Sequence, residues 1–167
     1  MKRSAWLLVF LSLTLGSVHG ATAPDFNLKA PDGSRVQLSE LLKKGPVVLD
    51  FWATWCKPCI KGMPELNEIF EKYKDRGLTV VGLNEDGPRG QNRIRPFLNG
   101  HNISFQIAID GDGSVMKRLQ VQALPTTLLI APDGEIILRQ AGLSDSTPLL
   151  EAIEGLLAKN EAADAVP

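Results

Sequence analysis

The run Pro46-Val47-Val48-Leu49-Asp50-Phe51-Trp52 is apolar at both parities and broken by a single acid. A strand with one wet face alternates apolar and polar residues, whereas a strand apolar throughout is covered on both faces. The run leads into Cys56, after which Ile60, Met63, Leu66, Ile69, Phe70 and Tyr73 recur at helical spacing as far as Arg76. Pro64 predicts a kink in that helix and Gly77 its stop. A doubly covered strand feeding a helix requires an α/β layered fold.

The rest of the chain agrees with that class. Ala23 to Leu42 reads as a small hairpin around Pro31-Asp32-Gly33, followed by a short helical turn. Leu78 to Leu83 is a second buried strand, and Asn84 to Gly90 is a polar loop. Gln91 to Leu98 predicts a helix interrupted near Pro96. Ile103 to Ile109 predicts a strand, Asp110 to Gly113 a turn and Ser114 to Gln120 a short helix. Thr126 to Ile130 and Glu135 to Arg139 form a hairpin about Pro132-Asp133-Gly134. Thr147 to Lys159 is an amphipathic helix, and Asn160 to Pro167 reads as a frayed tail. The order predicts a mixed central sheet flanked by helices.

The 167 residues are 44% apolar and 22% charged, enough for one domain that buries a core without staples or metal. A net charge of −1 with no basic cluster gives no reason to expect nucleic acid or an anionic membrane surface as partner. Lys2 and Arg3 precede an apolar stretch from Ala5 to Leu15, and Val18 and Gly20 are small enough to flank a cleavage point. Residues 1–20 thus read as a secretory signal, cleaved or retained as an anchor. Residues 21–167 form the single domain. Cleavage removes two of the 18 basic residues and none of the 19 acidic ones, leaving a net charge of −3.

The stretch Trp52-Ala53-Thr54-Trp55-Cys56-Lys57-Pro58-Cys59-Ile60 holds both cysteines of the chain. As a staple the pair closes a very short loop and stabilises by about 2 kcal/mol, which a domain of this size does not need. As a zinc site it lacks partners, because only His101 remains once the signal is removed. A redox pair accounts for more. Cys56 falls at the start of a helix, where unpaired N–H groups and the helix dipole favour a thiolate, and Lys57 adds a cation. These draw its pKa from about 8.5 toward about 7. Cys59, one turn further in, is expected to be less exposed and to resolve the mixed disulfide. Pro58 suits the first helical turn, where its missing N–H costs nothing.

Val47 to Cys59 resembles the active-site strand and turn of the thioredoxin superfamily, and the chain is most similar to its exported TlpA/ResA/DsbE-type branch. Trp55 with the Cys-Lys-Pro-Cys motif, Pro64, Leu124 to Ile130 and the hairpin segment Ala23 to Leu41 carry the resemblance. So does the extra helix and strand between Asn84 and Asp110. The resemblance implies a thioredoxin-like fold with an N-terminal hairpin extension and a helix–strand insertion. It implies Cys56 as nucleophile, Cys59 as resolving thiol and Pro125 as a cis-proline. That proline would place the Leu124 backbone beside the disulfide for a substrate strand and keep metal from the thiols. Asp50, where the branch often has Asn, reads as a buried carboxylate with a raised pKa that takes the Cys59 proton, or as a hydrogen-bonded structural acid. The branch often supplies another acid from the insertion. Glu85 and Asp86 lie in the matching loop, each readable as that acid or as a solvated charge. Trp55 is expected to pack beside the disulfide and shield it, Trp52 to be core, and Thr126 to line the substrate groove or pack in the strand.

These expectations describe an exported thiol–disulfide oxidoreductase with no bound cofactor beyond its own disulfide. The resemblance implies a monomeric reductase acting on apocytochrome c or copper-site assembly proteins in the periplasm or another extracytoplasmic space. A DsbD- or CcdA-like membrane donor would supply its electrons. The motif lacks a His before Cys59, which favours reductase over oxidase. The alternatives are an oxidase that donates disulfides and a binding module or chaperone on the same fold. A peroxiredoxin is disfavoured, because the proline and spacing its peroxidatic cysteine needs are absent around Thr54.

Overall fold

A computed structural model describes residues 20–164. The expected signal, apart from Gly20, lies outside them. The strands are β1 (Asn27–Lys29), β2 (Arg35–Gln37), β3 (Val47–Trp52), β4 (Thr79–Asn84), β5 (Gln106–Ile109), β6 (Thr126–Ile130) and β7 (Ile136–Ala141). The helices are α1 (Leu38–Leu42), α2 (Lys57–Tyr73), α3 (Gln91–His101), α4 (Ser114–Arg118) and α5 (Thr147–Asp164). All strands join one mixed sheet in the order β2-β1-β5-β4-β3-β6-β7. The three parallel strands β5, β4 and β3 lie side by side, with β6 antiparallel to β3.

Both faces of β3 are buried, as its composition demands. Val48 and Trp52 point into one core with Met63 and Leu66 of α2, Ile94 of α3 and Ile153 of α5. Val47, Leu49 and Phe51 point into the other, with Leu38 and Leu41 of α1 and Val115 of α4. Strand parity therefore puts Asp50 on the α2 face. The register Asp50↔Thr127 brings Thr127 to that face, beside Leu129.

Four helix ends differ from their expected positions, the smallest change being α4, which stops at Arg118 and not at Gln120. The regular part of α2 stops at Tyr73, and a 3-10 turn over Lys74–Arg76 leads to Gly77 at φ 94°. Pro96 does not interrupt α3, which continues to His101. Its ring frees the Asn92 carbonyl, and Asn92 is exposed, so water can satisfy that group. The tail expected to fray from Asn160 is helical to Asp164, steadied by Arg76, which donates to Glu161 and Glu154. β5 also starts late, at Gln106, because Ser104 is drawn away by Asn67 and Glu71 of α2.

The described chain enters at the end of the sheet opposite the cysteines. Ala23 N–H donates to Gly134 O and Ile136 N–H to Ala21 O, pinning residues 20–23 to the β6–β7 turn. No helix among the described residues is long and apolar enough to cross a membrane.

Candidate active site

β3 ends at Trp52, and the turn Ala53 to Cys56 closes with Cys56 N–H donating to Ala53 O at 3.0 Å. Cys56 is the N-cap of α2, with extended backbone at φ −84° and ψ 93°. Its Sγ accepts the Cys59 N–H at 3.3 Å, so sulfur takes the place that a Ser or Asp oxygen usually fills. Cys56 and Cys59 are joined as a disulfide with Cα atoms 5.3 Å apart. Both are covered, Cys56 at 4% exposure and Cys59 at 2%. Pro58 lies in the first turn, where no helical N–H is lost, and Lys57 beside it is exposed.

A cavity of about 60 Å³ lies against Cys59 and is lined also by Asp50, Pro58, Pro125 and Thr127. That is room for at least one water molecule. Asp50 is 6% exposed, and burial pushes its carboxyl up to about 7, against a hydrogen bond from Thr127 that acts the other way. Thr127 Oγ1 donates to Asp50 Oδ1 at 2.9 Å. The Leu124–Pro125 peptide is cis. Asp50, Cys59 and Pro125 thus converge from β3, α2 and the loop before β6.

Of the other candidates, Trp55 departs from expectation, whereas Thr126 takes the second of its two readings and packs in the strand. Trp55 is 61% exposed, so it stands out beside the pair and does not shield it by packing. Thr126 is buried, and its hydroxyl donates to Ala123 O at 2.8 Å. Strand parity points it away from the cavity, and Thr127 takes the place there. Leu124 is half-buried and packs against both cores. Asp86 is no solvated loop charge. Its fully buried carboxylate accepts the Thr54 N–H at 3.0 Å, the Thr54 hydroxyl at 2.5 Å and the Asn84 amide at 2.6 Å. It therefore braces the turn ahead of Cys56. Glu85 is half-buried, and burial together with the Asp110 and Asp112 carboxylates pushes it up to about 9. It does not line the cavity at Cys59.

Sequence reasoning missed Thr127 altogether, and it offered Asp86 as a second acid or a solvated charge, not as the brace of the cysteine turn. The first was open to a parity argument: in an antiparallel partner of β3, one of two adjacent threonines had to face Asp50. The second had no periodic signal, because it rests on a contact between two loops.

The AhpC/TSA family model matches residues 19–139. A thiol-disulfide oxidoreductase ResA from Bacillus thuringiensis subsp. konkukian (strain 97-27) is 38% identical over 118 residues, covering 71% of this chain. That match spans 66% of the relative's length. ResA from Bacillus thuringiensis (strain Al Hakam) is 36% identical over 140 residues, covering 84% of this chain and 77% of that one. Among solved structures, a Chlorobium tepidum protein provisionally assigned as the thiol:disulfide interchange protein DsbE superposes with a TM-score of 0.76 at 33% identity. It covers 83% of this chain and 97% of its own. With its thioredoxin-like sheet and its Cys56–Cys59 pair, the chain belongs to the AhpC/TSA family, among the ResA-like thiol–disulfide oxidoreductases.

Proposed function

We propose that this protein is an exported protein-disulfide reductase that cycles between a Cys56–Cys59 dithiol and disulfide. The observation that carries the reading is the cavity where Cys59, Asp50 and Pro125 meet beside a disulfide that caps α2. In the reduced protein the Cys56 thiolate attacks one sulfur of a substrate disulfide. The other substrate sulfur leaves as a thiolate and takes a proton from water. Asp50, in its carboxylate form, accepts the Cys59 proton directly or through water in the cavity. The Cys59 thiolate then attacks Cys56 Sγ and expels the second substrate sulfur. Two electrons have passed to the substrate, and the protein is left as the disulfide. A dithiol partner must return two electrons before the next cycle.

The substrate class proposed is an exported protein disulfide of the apocytochrome c or copper-assembly kind, and the donor is a DsbD- or CcdA-like membrane protein. The signal-like residues 1–20 support export, with the protein free or held by its N-terminus. Likeness to ResA relatives supports a protein thiol substrate. The test is a trap. Cys59→Ser should accumulate mixed disulfides with exported proteins through Cys56, identifiable by mass spectrometry. An empty trap would count against turnover and favour a binding module.

A further inference from the structure

The cavity beside Asp50 and Cys59 has a roof that the reaction above does not use. The loop between β7 and α5 brings Leu143 over α2 at Gly62. A Cβ added at Gly62 would lie 3.0 Å from Leu143 Cδ1, so the leucine rests on the bare backbone of that turn. The same loop is tied to α2 a turn further on, where Ser146 Oγ donates to Glu65 Oε1 at 2.5 Å. Leu143 is 48% exposed, with one side toward solvent and the other lining the cavity.

Asp50 has one protein donor among the described residues, Thr127. Its remaining solvation must come from whatever water the cavity admits. The titratable groups that line the cavity with it are Cys59 and Glu65, both from α2. β6, β7 and α5 contribute only neutral side chains there, including Thr127, Gln140 and Leu149. Water access is therefore the main variable acting on this carboxyl, and Leu143 is the large apolar side chain that lies between the cavity and solvent on this side.

We propose that Leu143, seated on Gly62, is the lid over the water cavity through which Asp50 and Cys59 exchange protons with solvent. Leu143 is thus a positioning residue for the proton-transfer step, acting by excluding water and not by contact with the sulfurs. With the lid seated, the carboxyl stays poorly hydrated and holds its proton near neutrality. With it removed, water hydrates the carboxylate and makes Asp50 a stronger acid and a weaker base. This deepens the base role proposed for Asp50 and rests on it only for its kinetic consequence.

The test is a titration of the Asp50 side-chain carboxyl carbon by NMR in the full-length oxidised protein, where the cysteines do not titrate. Leu143→Ala should move the midpoint down by about one pH unit, a fraction of the roughly 3–5 units that full burial can produce. Leu143→Met, which can refill the roof, should restore it. A folded Leu143→Ala protein whose midpoint stays at the wild-type value would overturn the lid, as would Leu143→Met shifting as far as Leu143→Ala. The base role is read separately, from the rate of mixed-disulfide resolution in Asp50→Asn. An unchanged rate there would sink that role and leave the lid to be decided by the titration alone.

Discussion

Between about pH 4 and pH 7 the native protein holds a proton on Asp50 that the unfolded chain releases, because burial moves the carboxyl from 3.8 to about 7. The native state then binds more protons, so stability falls as pH rises through this window and levels off above it. At about 1.4 kcal/mol per unit the loss is of order 4 kcal/mol. Asp50→Asn should remove it: guanidinium melts should find the variant more stable than wild type at pH 8, with the two converging near pH 4. The same substitution should slow resolution of a mixed disulfide by about 100-fold, the usual scale for losing a positioned base. Asp86 calls for the opposite sign. Asp86→Ala removes the acceptor of the part-buried Thr54 N–H and of the buried Asn84 amide and should cost about 1–3 kcal/mol in urea unfolding. Asp86→Asn keeps an acceptor and should cost less. Of these residues, Asp50 and the cysteines were legible from the sequence, since an acid inside an apolar strand and a Cys-x-x-Cys at a helix start are local signals. Asp86 was legible only as a candidate acid, because its burial and bracing role are decided by how Thr54 closes over it.

At the scale of elements, the apolar pattern placed every helix and strand in order, and the errors lie at ends and prolines. Local spacing cannot tell whether the carbonyl freed by Pro96 will meet water or a core, so it could not tell that α3 runs on. α3 belongs to the insertion, and it holds the sheet through buried Ile94 and an aromatic stack: Phe97 packs on Trp52 with ring centroids 5.1 Å apart, and His101 stacks on Phe97 at 4.0 Å. Because Trp52 leads directly into the cysteine turn, this packing backs the site. Phe97→Ala should cost about 2 kcal/mol, below the about 3–5 kcal/mol of a fully buried phenylalanine. Hydrogen exchange should quicken first in residues 91–101 and leave α5 unchanged.

For the molecule as a whole, the sequence implied the layers and the mixed sheet. The strand order was less accessible, since the placing of the N-terminal hairpin beside β5 depends on contacts distant in sequence. The direction of electron flow also belongs to this scale. Equilibration against dithiothreitol or glutathione buffers should give a reduction potential near the thioredoxin value of about −270 mV. A value near −120 mV, that of a strong oxidant, would reverse the proposed direction.

Residues 20–23 are laced to the β6–β7 turn, at the Val47 end of β3, while the disulfide lies beyond its Trp52 end. Five strand steps of about 3.3 Å put roughly 17 Å of sheet between those ends, before the cysteine turn adds its own height. A leader kept on the protein would therefore join the domain at the end of the sheet remote from the disulfide, with the length of β3 between the two. A redox partner that came to the domain from its N-terminal side would have that whole length to cross before it met Cys56, whereas one that came from the other side would meet the disulfide first.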